Sequence, residues 1–116
     1  HGTHKQTAIR QILETYPRLP FILIGDSGQE DPEIYAEVVR DFPGRILGIY
    51  IRDVSDAARR ESVQRLAREL AADGSTLLLT HDTAEAAAHA AAQGWVPEGA
   101  VGEVAERRAE DLSRPT

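Results

Sequence analysis

Residues 21–33 read FILIGDSGQEDPE, an apolar run followed by a short polar turn and then by a helix start. Consecutive apolar residues, as at 21–24, are typical of a strand that is buried on both faces of a parallel sheet. Asp31, Pro32 and Glu33 suit a first helical turn, with Asp31 as the expected helix cap. The order predicts a β-strand that leads through a turn into an α-helix.

Two carboxylates, those of Asp26 and Asp31, lie at the two ends of this turn. In a parallel α/β sheet such a turn lies at the carboxyl edge of the strands, where ligands bind. Magnesium prefers a few oxygen ligands and keeps several waters. We therefore expect Asp26 to bind Mg²⁺ directly and Asp31 to bind it directly or through water, the alternative being that Asp31 only caps the helix. Ser27 is a candidate substrate-binding residue, or it simply closes the turn.

Apolar helical and strand patterns alternate along the rest of the chain, which predicts a parallel α/β sheet in a single domain over residues 1–112. We expect the helices at residues 3–16, 32–42, 55–74, 83–93 and 102–112, the strands at residues 20–25, 45–51 and 75–80, and a tail at residues 113–116. The third helix is expected to start from a Ser55 cap and to close at Gly74, a good left-handed residue.

Lys5 is the single lysine among thirteen basic residues. Thr3 and Gln6 fit a capping box, which places Lys5 in the first helical turn, where the helix dipole disfavours a cation. A compact ammonium suits a site that needs one donor aimed at a phosphate or carboxylate oxygen, and arginine does not always replace it. We therefore predict a functional role for Lys5, against the alternative that its uniqueness is chance.

These features together resemble one family. The residues that carry the resemblance are His4-Lys5, Ile9, Ile12, Leu13, Tyr16-Pro17, the stretch 21–35, residues 42–46 and residues 49–54. Over about half of the chain they resemble the catalytic domain of the App1-like phosphatidate phosphatases, which are haloacid dehalogenase-like enzymes.

The resemblance implies a fold and a reaction. The fold would be a three-layer Rossmann-like parallel sheet, the carboxyl-terminal half of a haloacid dehalogenase-like domain. The reaction would be Mg²⁺-dependent hydrolysis of phosphatidate or another phosphomonoester through an aspartyl-phosphate. Asp26 and Asp31 would hold the metal, and Lys5 would orient the nucleophile. By its position alone, Arg52 leaves the second strand at the same sheet edge and is expected to reach a phosphate or the lipid head group; an ordinary salt bridge is the alternative for Arg52.

The nucleophile of that family lies in an Asp-x-Asp-x-Thr motif, and these 116 residues contain no Asp-x-Asp. We therefore expect the chain to be the carboxyl-terminal part of a longer enzyme and to be inactive in isolation. The rival interpretation is a non-catalytic protein-interaction module with a phosphatase-like half-fold. A receiver-like phosphoacceptor domain is a third possibility, but its acidic cluster would precede its lysine, whereas Lys5 precedes Asp26 here.

Composition limits the partners. A net charge of −6 and a pI near 5.1 argue against nucleic acid or an anionic membrane surface as the main partner. No apolar stretch is long enough for a membrane span, and the absence of cysteine excludes disulfides and thiolate catalysis. We expect a cytoplasmic location, and a possible homodimer through the exposed edge of the strand at residues 21–24.

Overall fold

The computed structural model describes residues 2–97, with side chains from His4 onward, and these residues form two compact units, the first ending at Leu79 and the second beginning at Thr80. The elements in chain order are α1 (Gly2–Thr15), β1 (Phe21–Asp26), α2 (Asp31–Asp41), β2 (Ile46–Arg52), α3 (Ala57–Ala72), β3 (Leu77–Thr80) and α4 (Thr83–Ala92). The helix expected at residues 102–112 and the tail at 113–116 lie outside the described residues.

The three strands form one parallel sheet in the order β1-β2-β3, with helices as the connections between successive strands. β1 and β2 run in parallel, and their register sets Asp26 opposite Arg52. The prediction of a Rossmann-like α/β fold with a parallel sheet is therefore confirmed. Among residues 2–97, β1 pairs with β2 alone, so its other side is an open edge.

The core of the first unit is built around β2, whose central residues Ile49 and Ile51 are completely buried. Each fully buried side chain of this size contributes roughly 1.5–3 kcal/mol relative to an exposed one. The helices α2 and α3 cover these residues, and the core cluster consists of Ile34, Tyr35, Ala36, Ile49, Ile51, Val63, Leu70 and Leu77. This packing fixes the carboxyl ends of β1 and β2, where the candidate site lies.

Two predicted helix caps are wrong. Asp31 is the first residue of α2, and Glu30, which precedes it, makes no side-chain cap bond. The carboxylate of Asp31 is instead bound by groups outside its own helix, as described below. At α3 the cap is Asp56, which accepts from the backbone N–H of Arg59 at 2.9 Å, whereas Ser55 bonds Asp53.

Helix α1 buries a narrower face than its sequence predicts. Leu13 is buried and Ile9 packs partly against the core, but Ile12 and Tyr16 are about half exposed. The expected capping box required Thr3 to precede the helix. The helix begins at Gly2, so Thr3 lies inside it.

Arg45, just before β2, holds the end of α1. Its guanidinium donates to the carbonyls of Leu13 (3.1 Å), Tyr16 (2.5 Å) and Leu19 (3.0 Å). A cation is favoured at a helix carboxyl terminus, whose carbonyl groups lack partners within the helix. This contact fixes α1 against the start of β2 and so determines where the opposite end of α1, with Lys5, is placed.

The second unit begins with a local cap. Asp82 accepts from the N–H of Glu85 at 2.8 Å and starts α4, while the carboxylate of Glu85 accepts from the N–H of His81 at 2.9 Å. Past the end of α4, the ring of Trp95 lies 5.8 Å from that of His89 in an edge-on arrangement. No helix within residues 2–97 is long and apolar enough to cross a membrane.

Candidate active site at the β1–α2 turn

The carboxylate of Asp31 is the centre of the candidate site. Asp31 is only 4% exposed, and its Oδ1 accepts a hydrogen bond from the ammonium of Lys5. Its Oδ2 accepts from the backbone N–H of Asp26 at 3.1 Å. One buried side chain therefore joins α1, the last residue of β1 and the first residue of α2.

Gly25 makes this arrangement possible. A Cβ at position 25 would lie 2.4 Å from Oδ2 of Asp31, 2.7 Å from its Cβ and 2.8 Å from its Cγ. Real Cβ atoms do not approach other atoms so closely, and the buried Asp31 has no room to withdraw. The glycine before Asp26 is therefore explained by the close approach of a side chain across the turn.

The hydrogen bond from the N–H of Asp26 to the carboxylate of Asp31 lies at the open edge of β1. In a parallel ladder, alternate residues direct their backbone groups to the same neighbouring strand. Because the N–H of Ser27 bonds the carbonyl of Arg52 in β2, the backbone groups of Ile24 and Asp26 face the open edge. Both positions are engaged from α2, since Asp31 accepts from Asp26 and the hydroxyl of Tyr35 donates to the carbonyl of Ile24 at 2.9 Å.

The hydroxyl of Tyr35 remains protonated in this setting. Burial, together with the negative charges of Asp31 and Asp26, raises its pKa to about 12. A neutral phenol is a hydrogen-bond donor, which is the role that the carbonyl of Ile24 requires.

Asp26 presents the accessible carboxylate of the pair. It is half-buried, and its Oδ1 accepts from the N–H of Gly28 at 3.1 Å, a bond within the β1–α2 turn. None of the described residues donates to its Oδ2. This oxygen, beside a glycine backbone, fits a magnesium ion that takes one protein carboxylate and otherwise keeps water.

Asp31 differs from Asp26, because both oxygens of its carboxylate already accept hydrogen bonds, one from Lys5 and one from the N–H of Asp26. A direct metal contact by Asp31 would add to these bonds, and that role stays a prediction. Among residues 2–97, no group of three or more His, Cys, Asp or Glu side chains is arranged to hold a metal ion.

Ser27 and Arg52, the two predicted substrate-binding residues, are placed differently. Ser27 is buried at 1% exposure, and its Oγ accepts from the N–H of Val54 at 3.0 Å, so its side chain ties the turn to the exit of β2. Arg52 is exposed at the end of β2, opposite Asp26, and takes part in none of the ion pairs found within residues 2–97. Their roles toward substrate stay predictions.

Arg59 of α3 is a residue that the sequence analysis missed. Its guanidinium donates to the carbonyls of Ser27 and Gln29, and it forms a two-point ion pair with Glu33. Hydrogen bonding from this guanidinium lowers the pKa of Glu33. A cation in the first turn of a helix, where the dipole disfavours it, was the available clue, as it was for Lys5.

Comparison with known proteins finds similarity to one family over residues 1–53. Residues 1–53 match the family model described as phosphatidate phosphatase APP1, catalytic domain. Over 56 residues the chain is 47% identical to the phosphatidate phosphatase APP1 of Saccharomyces cerevisiae. The aligned segment is 48% of this chain and 10% of the yeast protein. Over 53 residues it is 52% identical to an uncharacterized protein of Schizosaccharomyces pombe, which covers 46% of this chain and 9% of the relative. No solved structure matches the chain.

The chain thus spans about a tenth of the length of the curated relatives that it matches. The matched residues include Lys5, Asp26 and Asp31, which the fold brings together, whereas Arg59 lies beyond them. Residues 1–53 of this chain thus match a segment of the catalytic domain of the App1-like phosphatidate phosphatases.

Proposed function

We propose that this chain supplies the carboxyl-terminal part of a Mg²⁺-dependent phosphatase that acts on phosphatidate or another phosphomonoester. One observation carries the proposal: within the matched residues, Lys5 and Asp26 meet on the buried carboxylate of Asp31 at the carboxyl end of β1. Ligands of parallel α/β folds bind at this end of the strands. The substrate class comes from the name of the yeast relative alone.

Lys5 would bind the phosphoryl group or the nucleophile. Its ammonium has three donors, one of which is held by Asp31, and its side chain is 39% exposed. The two remaining donors are therefore available to a phosphate oxygen or to an attacking carboxylate. Asp31 would set the direction of the ammonium toward an anionic substrate.

Asp26 would be the direct magnesium ligand through its Oδ2, which none of the described residues engages. Magnesium, when bound, offsets the negative charge of a transferring phosphoryl group. The nucleophilic aspartate of the proposed aspartyl-phosphate route is not among these residues, because no Asp-x-Asp occurs in the sequence. We therefore propose that the chain alone is inactive.

The test is Mg²⁺-dependent phosphate release from phosphatidate and from a generic phosphomonoester. It compares this chain, the full-length protein and full-length Asp26→Asn, with Asp41→Asn as the matched control, since Asp41 is an exposed aspartate at the end of α2 that pairs with Arg10. We expect an inactive chain, an active full-length protein, a large loss in Asp26→Asn and near-normal activity in Asp41→Asn.

Two outcomes would overturn the proposal. If Asp26→Asn matched the wild-type protein, Asp26 would not hold a required metal. If the full-length protein released phosphate from neither substrate, the segment would be better explained as a non-catalytic interaction module with a phosphatase-like half-fold.

A further inference from the structure

Arg59 binds two carbonyls of the turn that separates Asp26 from Asp31, and one carboxylate of α2. Its Nε donates to the carbonyl of Ser27 at 2.9 Å, and its Nη2 donates to the carbonyl of Gln29 at 3.0 Å. Both Nη atoms donate to the carboxylate of Glu33, at 2.6 and 2.8 Å. The contacts run from the first residue of the turn to the first helical turn of α2, so a single side chain spans the whole segment.

We call the contacts of Arg59 with Ser27, Gln29 and Glu33 the Arg59 clamp. The chemistry of this clamp requires arginine. A planar guanidinium offers five donors in a fixed fork, and four donor–acceptor contacts are made here in three directions. An ammonium is a point charge on a flexible stem and would not bridge the two carbonyls and the carboxylate in the same way.

The backbone of Arg59 is also held in place by a hydrogen bond. The backbone N–H of Arg59 donates to the capping carboxylate of Asp56 at 2.9 Å, and the side chain itself is only 27% exposed. Its position in the first turn of α3 is unfavourable for a cation on dipole grounds. The contacts with the β1–α2 turn and with Glu33 offset this disadvantage.

The turn has few other restraints on its outer part. Ser27 is tied to β2 through its N–H and its hydroxyl, and Gly28 bonds the side chain of Asp26. Residues 28–30 are exposed, and the glycine has wide conformational freedom. Arg59 is the residue that joins the carbonyl on each side of Gly28 to a rigid helix.

We infer that Arg59 is a positioning residue that fixes the carboxylate of Asp26 by holding the β1–α2 turn, and that it thereby sets the affinity of this site for a divalent cation. The inference rests on the proposed function, in which Asp26 is the direct metal ligand. Arg59 acts through the turn and not on the phosphate itself, because four of its five donors are occupied and Glu33 neutralises its charge.

The experiment uses this chain in isotope-labelled form, with Mn²⁺ as the probe cation. Amide hydrogen exchange at Ser27 and Gly28 reports the order of the turn without any metal, and Mn²⁺-induced line broadening at the same amides reports cation binding. The variants are Arg59→Gln, Arg59→Lys and Glu33→Gln. Arg60→Gln is the matched control, because Arg60 is the next residue, pairs with Asp53 and donates to no group of the turn.

We expect Arg59→Gln to raise exchange at Ser27 and Gly28 by about tenfold or more, as befits the loss of hydrogen bonds to a charged group. We expect Mn²⁺ affinity to fall about 10- to 100-fold, the usual effect of removing a residue that orients a metal ligand. Arg59→Lys should fail to restore either quantity, Glu33→Gln should change both in the same direction by less, and Arg60→Gln should change neither.

The inference is overturned if Arg59→Gln lowers only the melting temperature and leaves exchange at the turn and Mn²⁺ affinity unchanged, or if Arg60→Gln has an equal effect. Should Arg59→Gln fail to fold, Glu33→Gln decides by the same criteria. If the wild-type chain shows no Mn²⁺ broadening at Ser27 and Gly28, the cation-affinity part of the inference fails, whereas the metal part of the proposed function is decided by the full-length Asp26→Asn assay. The exchange measurement then decides alone: increased exchange supports the clamp, and unchanged exchange overturns it.

Discussion

Lys5 and Asp31, 26 positions apart in the chain, form an ion pair in which a partly exposed ammonium meets a buried carboxylate. The other oxygen of that carboxylate binds the backbone N–H of Asp26, so the pair also determines how β1 ends. This geometry gives a physical reason for a single lysine in a chain that otherwise uses arginine: the compact ammonium reaches a carboxylate enclosed beneath the turn.

The first prediction concerns this ion pair. Lys5→Gln removes the charged donor to the buried carboxylate of Asp31 and leaves at best a neutral amide in its place, which destabilises a folded protein. Because the ammonium is 39% exposed, we expect a loss of only about 1–2 kcal/mol, less than for a fully buried pair. The check is the urea midpoint at unchanged slope.

Arg10→Gln is the control for that prediction. Arg10 lies on the same helix and pairs with Asp41, whose side chain is 46% exposed. An exposed pair is worth about 0–1 kcal/mol, so this variant should shift the midpoint little. Equal shifts in the two variants would mean that Asp31 is well enough satisfied without the ammonium.

The second prediction concerns Gly25. Gly25→Ala sets a methyl group 2.4 Å from Oδ2 of Asp31, and both the sheet and α2 would have to shift to relieve the clash. We expect a loss of about 2–3 kcal/mol, at the upper end of overpacking costs. Thermal unfolding would show it as a fall of about 4 °C for each kcal/mol in a chain of this size.

Gly28→Ala provides the comparison within the same turn. Its new Cβ would meet Cγ2 of Val54 at 3.2 Å, and Val54 is about half exposed and free to move. We therefore expect less than about 1 kcal/mol for this variant, and an equal cost at both glycines would contradict the steric explanation of Gly25.

The sheet was predictable because its strands are continuous apolar runs, a pattern that depends on local sequence alone. The end of α3 was predictable for the same reason, since Gly74 adopts a φ of +84° that favours glycine. The prediction that Asp31 caps α2 failed because a cap preference is weak against an ion pair formed by residues far apart in the chain.

The clamp by Arg59 was not predictable from spacing. Its partners Ser27 and Gln29 lie 32 and 30 positions away, and they bind through carbonyl groups, which every residue possesses. Only the fold selects which carbonyls lie within reach. Arg45 and the end of α1 illustrate the same limit, because a guanidinium in a linker gives no indication of the helix that it holds.

The third prediction is a loss of stability at alkaline pH through Tyr35. Its pKa is about 12 in the folded protein and about 10 when unfolded, so between these values the folded state keeps a proton that the unfolded state releases. Stability is therefore complete below pH 10 and falls as the pH rises to 12, by on the order of 2 kcal/mol. Urea midpoints measured from pH 9 to 12 would show the decline.

Tyr35→Phe should flatten this decline relative to the wild-type chain. Burial also raises the pKa of Tyr50, but Tyr50 is present in both proteins, so the difference between them isolates Tyr35. Tyr16→Phe, at an exposed tyrosine, is the matched control. Identical profiles for Tyr35→Phe and the wild-type chain would show that Tyr35 titrates at its ordinary pKa.

The fourth prediction is self-association of this chain through the open edge of β1. The backbone groups of Ile22 and Ile24 face that edge, the side chain of Ile24 is 53% exposed, and an apolar edge of this kind invites a second strand. We expect light scattering to give a dimer mass, and Ile24→Lys to return the chain to a monomer, because a charge on an edge strand opposes pairing.

Ile12→Lys is the matched control, since Ile12 is 48% exposed but lies on α1, and this variant should stay dimeric. A monomer mass for the unaltered chain would show that the contacts from Asp31 and Tyr35 are enough to close the edge.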